Sequence, residues 1–188
     1  MKRSAKEKKE RFLGVHLGVK SDRSTSAKSA LVRRPYKPGV HGPQKKRRSN
    51  LSDFGRQIRE KQKFKISYGV NENNLKMLYA QATKDKKDVA AKLMQLLERR
   101  LDNVVFRMGI AGSRSMARQL VGQGHIFVNG RRTTSPGYQI EQDDAISIRP
   151  ESAEKQLFKT VKERIKQFDA PAWISIDKDK LEGKIIAM

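Results

Sequence analysis

Ser113-Arg114-Ser115-Met116-Ala117-Arg118-Gln119-Leu120-Val121-Gly122-Gln123-Gly124-His125-Ile126-Phe127-Val128-Asn129-Gly130-Arg131-Arg132 is the stretch that decides the fold. A serine ahead of an apolar-periodic run marks a helix start, because its hydroxyl can accept from a first-turn N–H that has no partner within the helix. At about 100° per residue, Met116, Ala117, Leu120 and Val121 share one face, while Arg114, Ser115, Arg118 and Gln119 occupy the opposite arc. Gly122 and Gly124 stop the helix. Ile126-Phe127-Val128 reads as a strand, and Asn129-Gly130 suits a two-residue type I′ turn, whose central residues both need positive φ. Arg131 and Arg132 open the return strand.

Working outward, the strongest helical pattern lies just before this stretch. Leu93, Leu96, Leu97, Leu101, Val104, Val105 and Met108 follow i, i+3, i+4 spacing and predict one helix over 89–109, bracketed at its end by Gly109 and Gly112. Upstream, Ser52 can cap a helix carrying Phe54, Ile58 and Gln62, and Tyr68-Gly69-Val70 breaks it. A further helix is predicted from Asn73 or Asn74 with Leu75, Leu78, Tyr79 and Ala82 on one side. Downstream, Asp144–Ile148 alternates as a strand. Residues 150–168 predict an amphipathic helix with Leu157, Phe158, Val161, Ile165 and Phe168 as its core stripe, ended by Pro171-Ala172-Trp173. The class is α+β.

Charge points to a partner. The 188 residues carry a net charge of +22, and only 36% of them are hydrophobic. Such excess fits a polyanion, since each neutralised phosphate releases a condensed counterion. Residues 1–65 hold 21 Lys/Arg against 5 Asp/Glu, so the grip lies in the first third. Within it, Arg33-Arg34-Pro35-Tyr36-Lys37-Pro38-Gly39-Val40-His41-Gly42-Pro43 has too many prolines and glycines for regular helix or a central strand. Lys45-Lys46-Arg47-Arg48 follows. A charge run can be a mere solvated tail; beside a stiff Pro/Gly segment with an aromatic, it predicts an extended arm threaded along phosphates. The expected organisation is a basic extended arm over 1–50, a mostly helical domain over 51–90 completed by 175–188, and a second domain over 91–174.

Several classes are disfavoured. There is no cysteine, which removes disulfides, thiol catalysis and Cys-ligated zinc. No apolar run approaches the ~20 residues of a membrane span, and the basic N-terminus lacks a signal peptide's apolar segment, so cytoplasm is expected. No Gly-rich nucleotide loop, metal cluster or Ser/His/Asp arrangement stands out. The residues expected to touch RNA are Arg33, Arg34, Tyr36, Lys37, His41, Lys45, Lys46, Arg47 and Arg48 in the arm, and Arg56, Arg59, Lys61 and Lys63 on the first helix. In the helix–hairpin they are Arg114, Ser115, Arg118, Gln119, His125, Asn129, Arg131 and Arg132. Arginine forks hold phosphates bidentately, and amides can pair with 2′-hydroxyls or base edges.

Glu98-Arg99-Arg100-Leu101-Asp102-Asn103-Val104-Val105-Phe106-Arg107-Met108-Gly109, with Ser113-Arg114, Ala117-Arg118-Gln119-Leu120-Val121, Gly124-His125-Ile126 and Val128-Asn129-Gly130, resembles the small-subunit ribosomal protein S-four family and its RNA-binding domain, placed here over 99–149 as two helices, a β-hairpin and a small sheet. The segment from Arg33 to Gly42 resembles that family's basic arm. Leu51–Gly55, Arg59–Lys63 and Tyr68–Val70 resemble its helical domain, and Trp173–Asp177 its late segment. The resemblance covers about residues 20–186. It implies an early binder of small-subunit ribosomal RNA at a multi-helix junction of the 5′ domain, nucleating assembly and influencing decoding accuracy. It also implies ribosomal proteins S-five and S-twelve as neighbours and a place near the mRNA entry path. Many family members hold zinc through cysteines in the arm; Ser24 and Ser29 stand at those positions here, so no metal or other cofactor is expected. Members usually continue with strand-like sequence past the equivalent of Ala187-Met188. The alternatives are an RNA-modifying enzyme, to which Arg100-Leu101-Asp102 bears a superficial likeness, and a free RNA-binding stress protein.

Overall fold

The computed structural model describes residues 6–19, 26–43, 51–85, 88–155, 158, 161, 163, 165, 168–177 and 181–186. The chain forms two compact units, Met1–Leu75 and Lys76–Met188. In the first, α1 (Lys6–Leu13), the single turn α2 (Ala30–Arg33) and α3 (Asp53–Ser67) are followed by α4 (Glu72–Ala82), within which the division falls. Serine caps set two of these starts. Ser29 Oγ accepts from Leu31 N–H at 3.3 Å, and Ser52 Oγ from Gly55 N–H at 3.2 Å. Asn71 Oδ1 accepts from Asn74 N–H at 2.7 Å, which starts α4 slightly earlier than its apolar pattern suggests.

The apolar core of this unit is thin, with Leu13, Tyr68, Val70 and Leu75 buried. Polar ties supplement it. The buried Glu10 carboxylate accepts from the N–H groups of Leu17 and Val19 at 3.2 and 3.3 Å, folding the chain after α1 back onto the helix. Arg11 Nε and Nη2 donate to the Tyr36 carbonyl at 3.2 and 3.0 Å, Nε also reaches the Arg34 carbonyl at 3.1 Å, and the guanidinium lies 4.9 Å from the Tyr36 ring centre. Within the described part of the expected arm, one carboxylate ties α1 to residues 17–19 and one guanidinium ties it to Arg34 and Tyr36. Lys45, Lys46, Arg47 and Arg48 lie outside the described residues.

The second unit places α5 (Val89–Glu98), α6 (Leu101–Arg107) and α7 (Arg114–Gly122) with an antiparallel sheet. Its strands are β1 (Ile126–Val128), β2 (Arg131–Arg132), β3 (Ala145–Ile148), β4 (Ile174–Asp177) and β5 (Glu182–Ile185), in the order β2-β1-β3-β5-β4. The short helix α8 (Pro150–Ala153) follows β3. Leu101, Val104 and Val105 from α6, Met108 at its C-cap, Ala117, Leu120 and Val121 from α7, and Ile126, Val128, Ile146 and Ile148 from the sheet share one core. Each fully buried Leu or Ile contributes about 1.5–3 kcal/mol of burial free energy.

Three sequence expectations change in this unit. The single helix over 89–109 is two helices, because Arg100 is extended (φ −66°, ψ 134°) and bridges to Gln139. The first N–H groups of α6 find carbonyls outside the helix, Leu101 donating to Tyr138 at 2.9 Å and Asp102 to Pro136 at 3.1 Å. The helical domain was expected to be completed by 175–188, but Ile174–Asp177 and Glu182–Ile185 belong to the second unit. They add strands to this sheet, Ala145 opposite Lys184 and Ile146 opposite Gly183, with Ile174 and Ile185 buried. The helix expected over 150–168 is interrupted by a turn at residues 154–155; Phe158, Val161 and Ile165 are helical and buried as expected, and Leu157 lies outside the described residues.

Gly109 closes α6 with φ +76°, and a Cβ there would lie 2.8 Å from Cγ of Phe168. Gly109→Ala is therefore expected to destabilise the chain by about 2–4 kcal/mol through left-handed backbone strain and overpacking. A urea-unfolding midpoint equal to the parent's would contradict that packing.

Candidate nucleic-acid interface

The helix–hairpin forms as its local chemistry dictates. Ser113 Oγ accepts from Met116 N–H at 3.3 Å and starts α7. Gly124, with φ +74°, follows the helix, and any Cβ there would collide with the Arg132 guanidinium. Asn129 and Gly130 have φ +50° and +74°, the signs a type I′ turn requires, and pair Val128 with Arg131. The hairpin thus returns Arg132 past the end of α7, with Arg131 and Arg132 both exposed.

The cations on α7 are held from behind. Arg114 Nε donates to Asn103 Oδ1 at 2.7 Å, and its guanidinium lies 4.6 Å from the Phe106 ring centre. Asn103 is positioned in turn by Glu98, whose Oε2 accepts from its Nδ2 at 2.7 Å and whose Oε1 accepts from Arg107 Nη2 at 2.7 Å. Arg118 Nη1 sits 3.9 Å from Asp102 Oδ2, and Asp102 is paired bidentately with Arg100 at 2.7 and 3.1 Å. Both side chains of that inner pair are only 4% exposed. Sequence reasoning chose Arg114 and Arg118 but missed Asp102, Asn103, Phe106 and Glu98, which fix their geometry. The signal was the spacing across two helices, invisible while 89–109 read as one.

Other expected residues fall in varied settings. Ser115 Oγ is 3.3 Å from Ser113 Oγ, and Gln119 is exposed. The Asn129 amide is committed to the fold: Nδ2 donates to Asp144 Oδ1 at 2.7 Å and Oδ1 accepts from Ala145 N–H at 2.8 Å. His125 is half-buried, its Nδ1 2.8 Å from Ser152 Oγ and its ring edge-to-face with Phe158. Burial lowers its pKa first, and the charges of Lys155, Arg149 and Arg132 lower it further. Arg149 and Lys155 were not singled out in the sequence.

In the first unit, Arg33, Arg34, Tyr36, Lys37 and His41 are exposed. On α3, Arg56 pairs with Asp53 at 3.2 Å, Lys63 with Glu60 at 2.6 Å, and Lys61 with Glu72 at 2.7 Å, while Arg59 is half-buried. Lys61, then Lys65, holds the Glu72 carboxyl down to about 2. Exposed pairs of this kind are weak, so phosphates can exchange into them.

Zinc does not suit the arm. The buried Ser29 hydroxyl caps α2, and a neutral serine hydroxyl is a poor zinc ligand; Ser24 lies outside the described residues. Among the described residues no group of three or more His, Cys, Asp or Glu converges, and no helix is long and apolar enough to cross a membrane.

Two helices, α6 and α7, leading into a cation-bearing hairpin over a small sheet define a protein built on an S4-type module. Residues 99–146 match the family model "S4 domain", and residues 2–98 match "Ribosomal protein S4/S9 N-terminal domain". The chain is 43% identical over 175 residues to "Small ribosomal subunit protein uS4" of Thermoanaerobacter sp. (strain X514), covering 93% of this chain and 82% of that one. The same figures hold for the protein of that name from Thermoanaerobacter pseudethanolicus (strain ATCC 33223 / 39E). The chain belongs to the uS4 family of small ribosomal subunit proteins.

Removing the carboxylate that neutralises a buried guanidinium leaves an uncompensated charge. Asp102→Ala is expected to cost about 3–5 kcal/mol in chemical unfolding; a loss below about 1 kcal/mol would mean that Arg100 finds water. His125 supplies a pH test. Its folded pKa is lowered, so below about pH 6.5 the unfolded chain binds a proton that the folded chain refuses, and stability falls as pH falls. Between about pH 7.5 and 5.5 the parent should lose more thermal stability than His125→Gln. Equal losses would remove His125 as the titrating group.

Proposed function

We propose that this chain is a structural constituent of the small ribosomal subunit, binding its ribosomal RNA through phosphate contacts rather than catalysing a reaction. What carries the reading is the helix–hairpin itself, with Arg131 and Arg132 exposed at the hairpin and the α7 cations anchored from the core, within a chain of the uS4 family. The catalytic alternative loses its best residue. Asp102 is buried with both oxygens committed to Arg100, a poor setting for an attacking carboxylate.

In its finer form the proposal is early binding at a multi-helix junction of the 5′ domain, nucleating assembly and influencing decoding accuracy. Ribosomal proteins S-five and S-twelve would be neighbours, mRNA near its entry path a further contact, and the cytoplasmic ribosome the location. The RNA-reading set comprises the residues named from the sequence, with Arg114 and Arg118 doubling as parts of the fold and Asn129 acting through the turn it holds.

Filter binding to small-subunit ribosomal RNA over a salt series tests this. Arg131→Ala with Arg132→Ala should shallow the slope of log affinity against log salt by about 1.4–1.8, two phosphates' share, with unfolding stability nearly unchanged. The chain should also stay with small subunits through a high-salt wash. An unchanged slope removes the two arginines from the phosphate contacts, and loss on washing moves the chain to the enzyme or free-binder class.

A further inference from the structure

His125 stands between the end of α7 and the start of β1. Three cations from three segments act on its ring: Arg132 of β2, Arg149 just after β3 and Lys155 just after α8. The Arg132 guanidinium lies against the backbone of Gly124, the residue before His125. Arg149 N–H donates to the His125 carbonyl at 2.9 Å, and Lys155 N–H to the Ser152 carbonyl at 3.0 Å, so both cations start from backbone tied close to the ring. Of the two carboxylates nearby in the chain, Glu151 pairs with Arg149 and Glu154 is exposed. Among the described residues, no carboxylate forms an ion pair with the imidazole.

The ring is built to exist in either charge state. Its Nδ1 lies 2.8 Å from the hydroxyl of Ser152, a buried residue, and its edge meets Phe158 with ring centres 5.8 Å apart. A serine hydroxyl can donate to a neutral Nδ1 or accept from a protonated one, so a proton can be gained by turning the hydroxyl while the imidazole stays in place. In the free chain, burial and then Lys155, Arg149 and Arg132 disfavour the imidazolium. Arg132 and Lys155 are exposed and Arg149 is half-buried, so a phosphate can reach the cations that hold the proton off.

We propose that placing an RNA phosphate against Arg132, Arg149 and Lys155 is coupled to uptake of one proton by His125, so that this end of the interface tightens as pH falls. The inference rests on the reading of the chain as an RNA-binding protein and adds regulation to that same surface. The phosphate's charge offsets the three cations and favours the imidazolium, so the complex holds a proton that the free chain refuses. By linkage, each of the two ligands, proton and RNA, strengthens the other. The gain is complete below the range in which the free chain's His125 titrates, and it is lost as pH rises through the range in which the complex titrates.

The test measures binding of the full chain to small-subunit ribosomal RNA at constant ionic strength from about pH 8 to 5.5, the span that brackets an ordinary histidine. The parent's affinity should rise as pH falls, by at most about tenfold per pH unit, the limit for one proton. His125→Gln should flatten that rise. Binding heats in two buffers of different ionisation enthalpy should show the parent taking up protons and the variant taking up fewer. Lys155→Ala is the second variant should His125→Gln misfold by circular dichroism. With one cation fewer, the free chain protonates more readily and the uptake on binding should shrink. A parent that binds RNA with no proton uptake overturns the coupling alone. Equal uptake in the parent and the folded variant overturns it too, moving the proton to His16, His41 or the terminal amine. A parent that binds no RNA at any pH overturns the coupling together with the ribosomal reading.

Discussion

The buried pair between Arg100 and Asp102 is the joint on which the second unit turns. An arginine with this little exposure is tolerated only when a carboxylate meets it squarely, and Asp102 does so from two residues away by closing the first turn of α6. That geometry requires Arg100 to be extended, and an extended Arg100 is what breaks the helical run and lets Gln139 bridge to it. The same carboxylate then faces Arg118 on α7. One ion pair thus ends one helix, starts the next, admits the 136–140 segment and sets the orientation of a surface cation.

The cations divide by how much the fold already asks of them. Arg114 and Arg118 are preorganised, losing less side-chain freedom on meeting a phosphate, but they are tied into stability as well as binding. Arg131 and Arg132 stand on a hairpin whose shape comes from its turn. Arg56, Lys61 and Lys63 of α3 sit in surface pairs that a polyanion can displace. A surface built this way combines rigid anchors with adaptable ones.

Where the signal was local, the sequence was legible. Ser52 and Ser113 cap helices as their positions implied, Asn129-Gly130 makes its turn, and the apolar faces of α6 and α7 are those expected from periodicity. Where structure depends on a distant partner, it was not. The leucine pattern runs unbroken through the Arg100 joint, because the pattern carries no trace of the bridge that the extended Arg100 makes to Gln139, some 40 residues later. Gly183 weakens the strand signal of β5, yet its missing side chain is what admits Met108 beneath the sheet. Arg11 looked like one more basic residue of an arm, and its role lies in carbonyls more than 20 residues away. The site was legible to the same degree: the hairpin arginines stand exposed as read, while the groups that hold Arg114 and Arg118 in place were hidden by the apparent single helix.

The turn at Asn129-Gly130 carries a consequence for the chain's chemical ageing. An asparagine before glycine is prone to lose its amide nitrogen, because the unhindered Gly130 N–H can attack the side-chain carbonyl and close a succinimide ring. Here that carbonyl oxygen is engaged by Ala145 and the amide nitrogen by Asp144, so the side chain is held away from free rotation towards its own backbone. The bonds that latch the hairpin to β3 therefore also slow its deamidation. A folded molecule keeps its turn neutral and intact for longer than the unfolded chain would, and the fold protects the same dipeptide that made it possible.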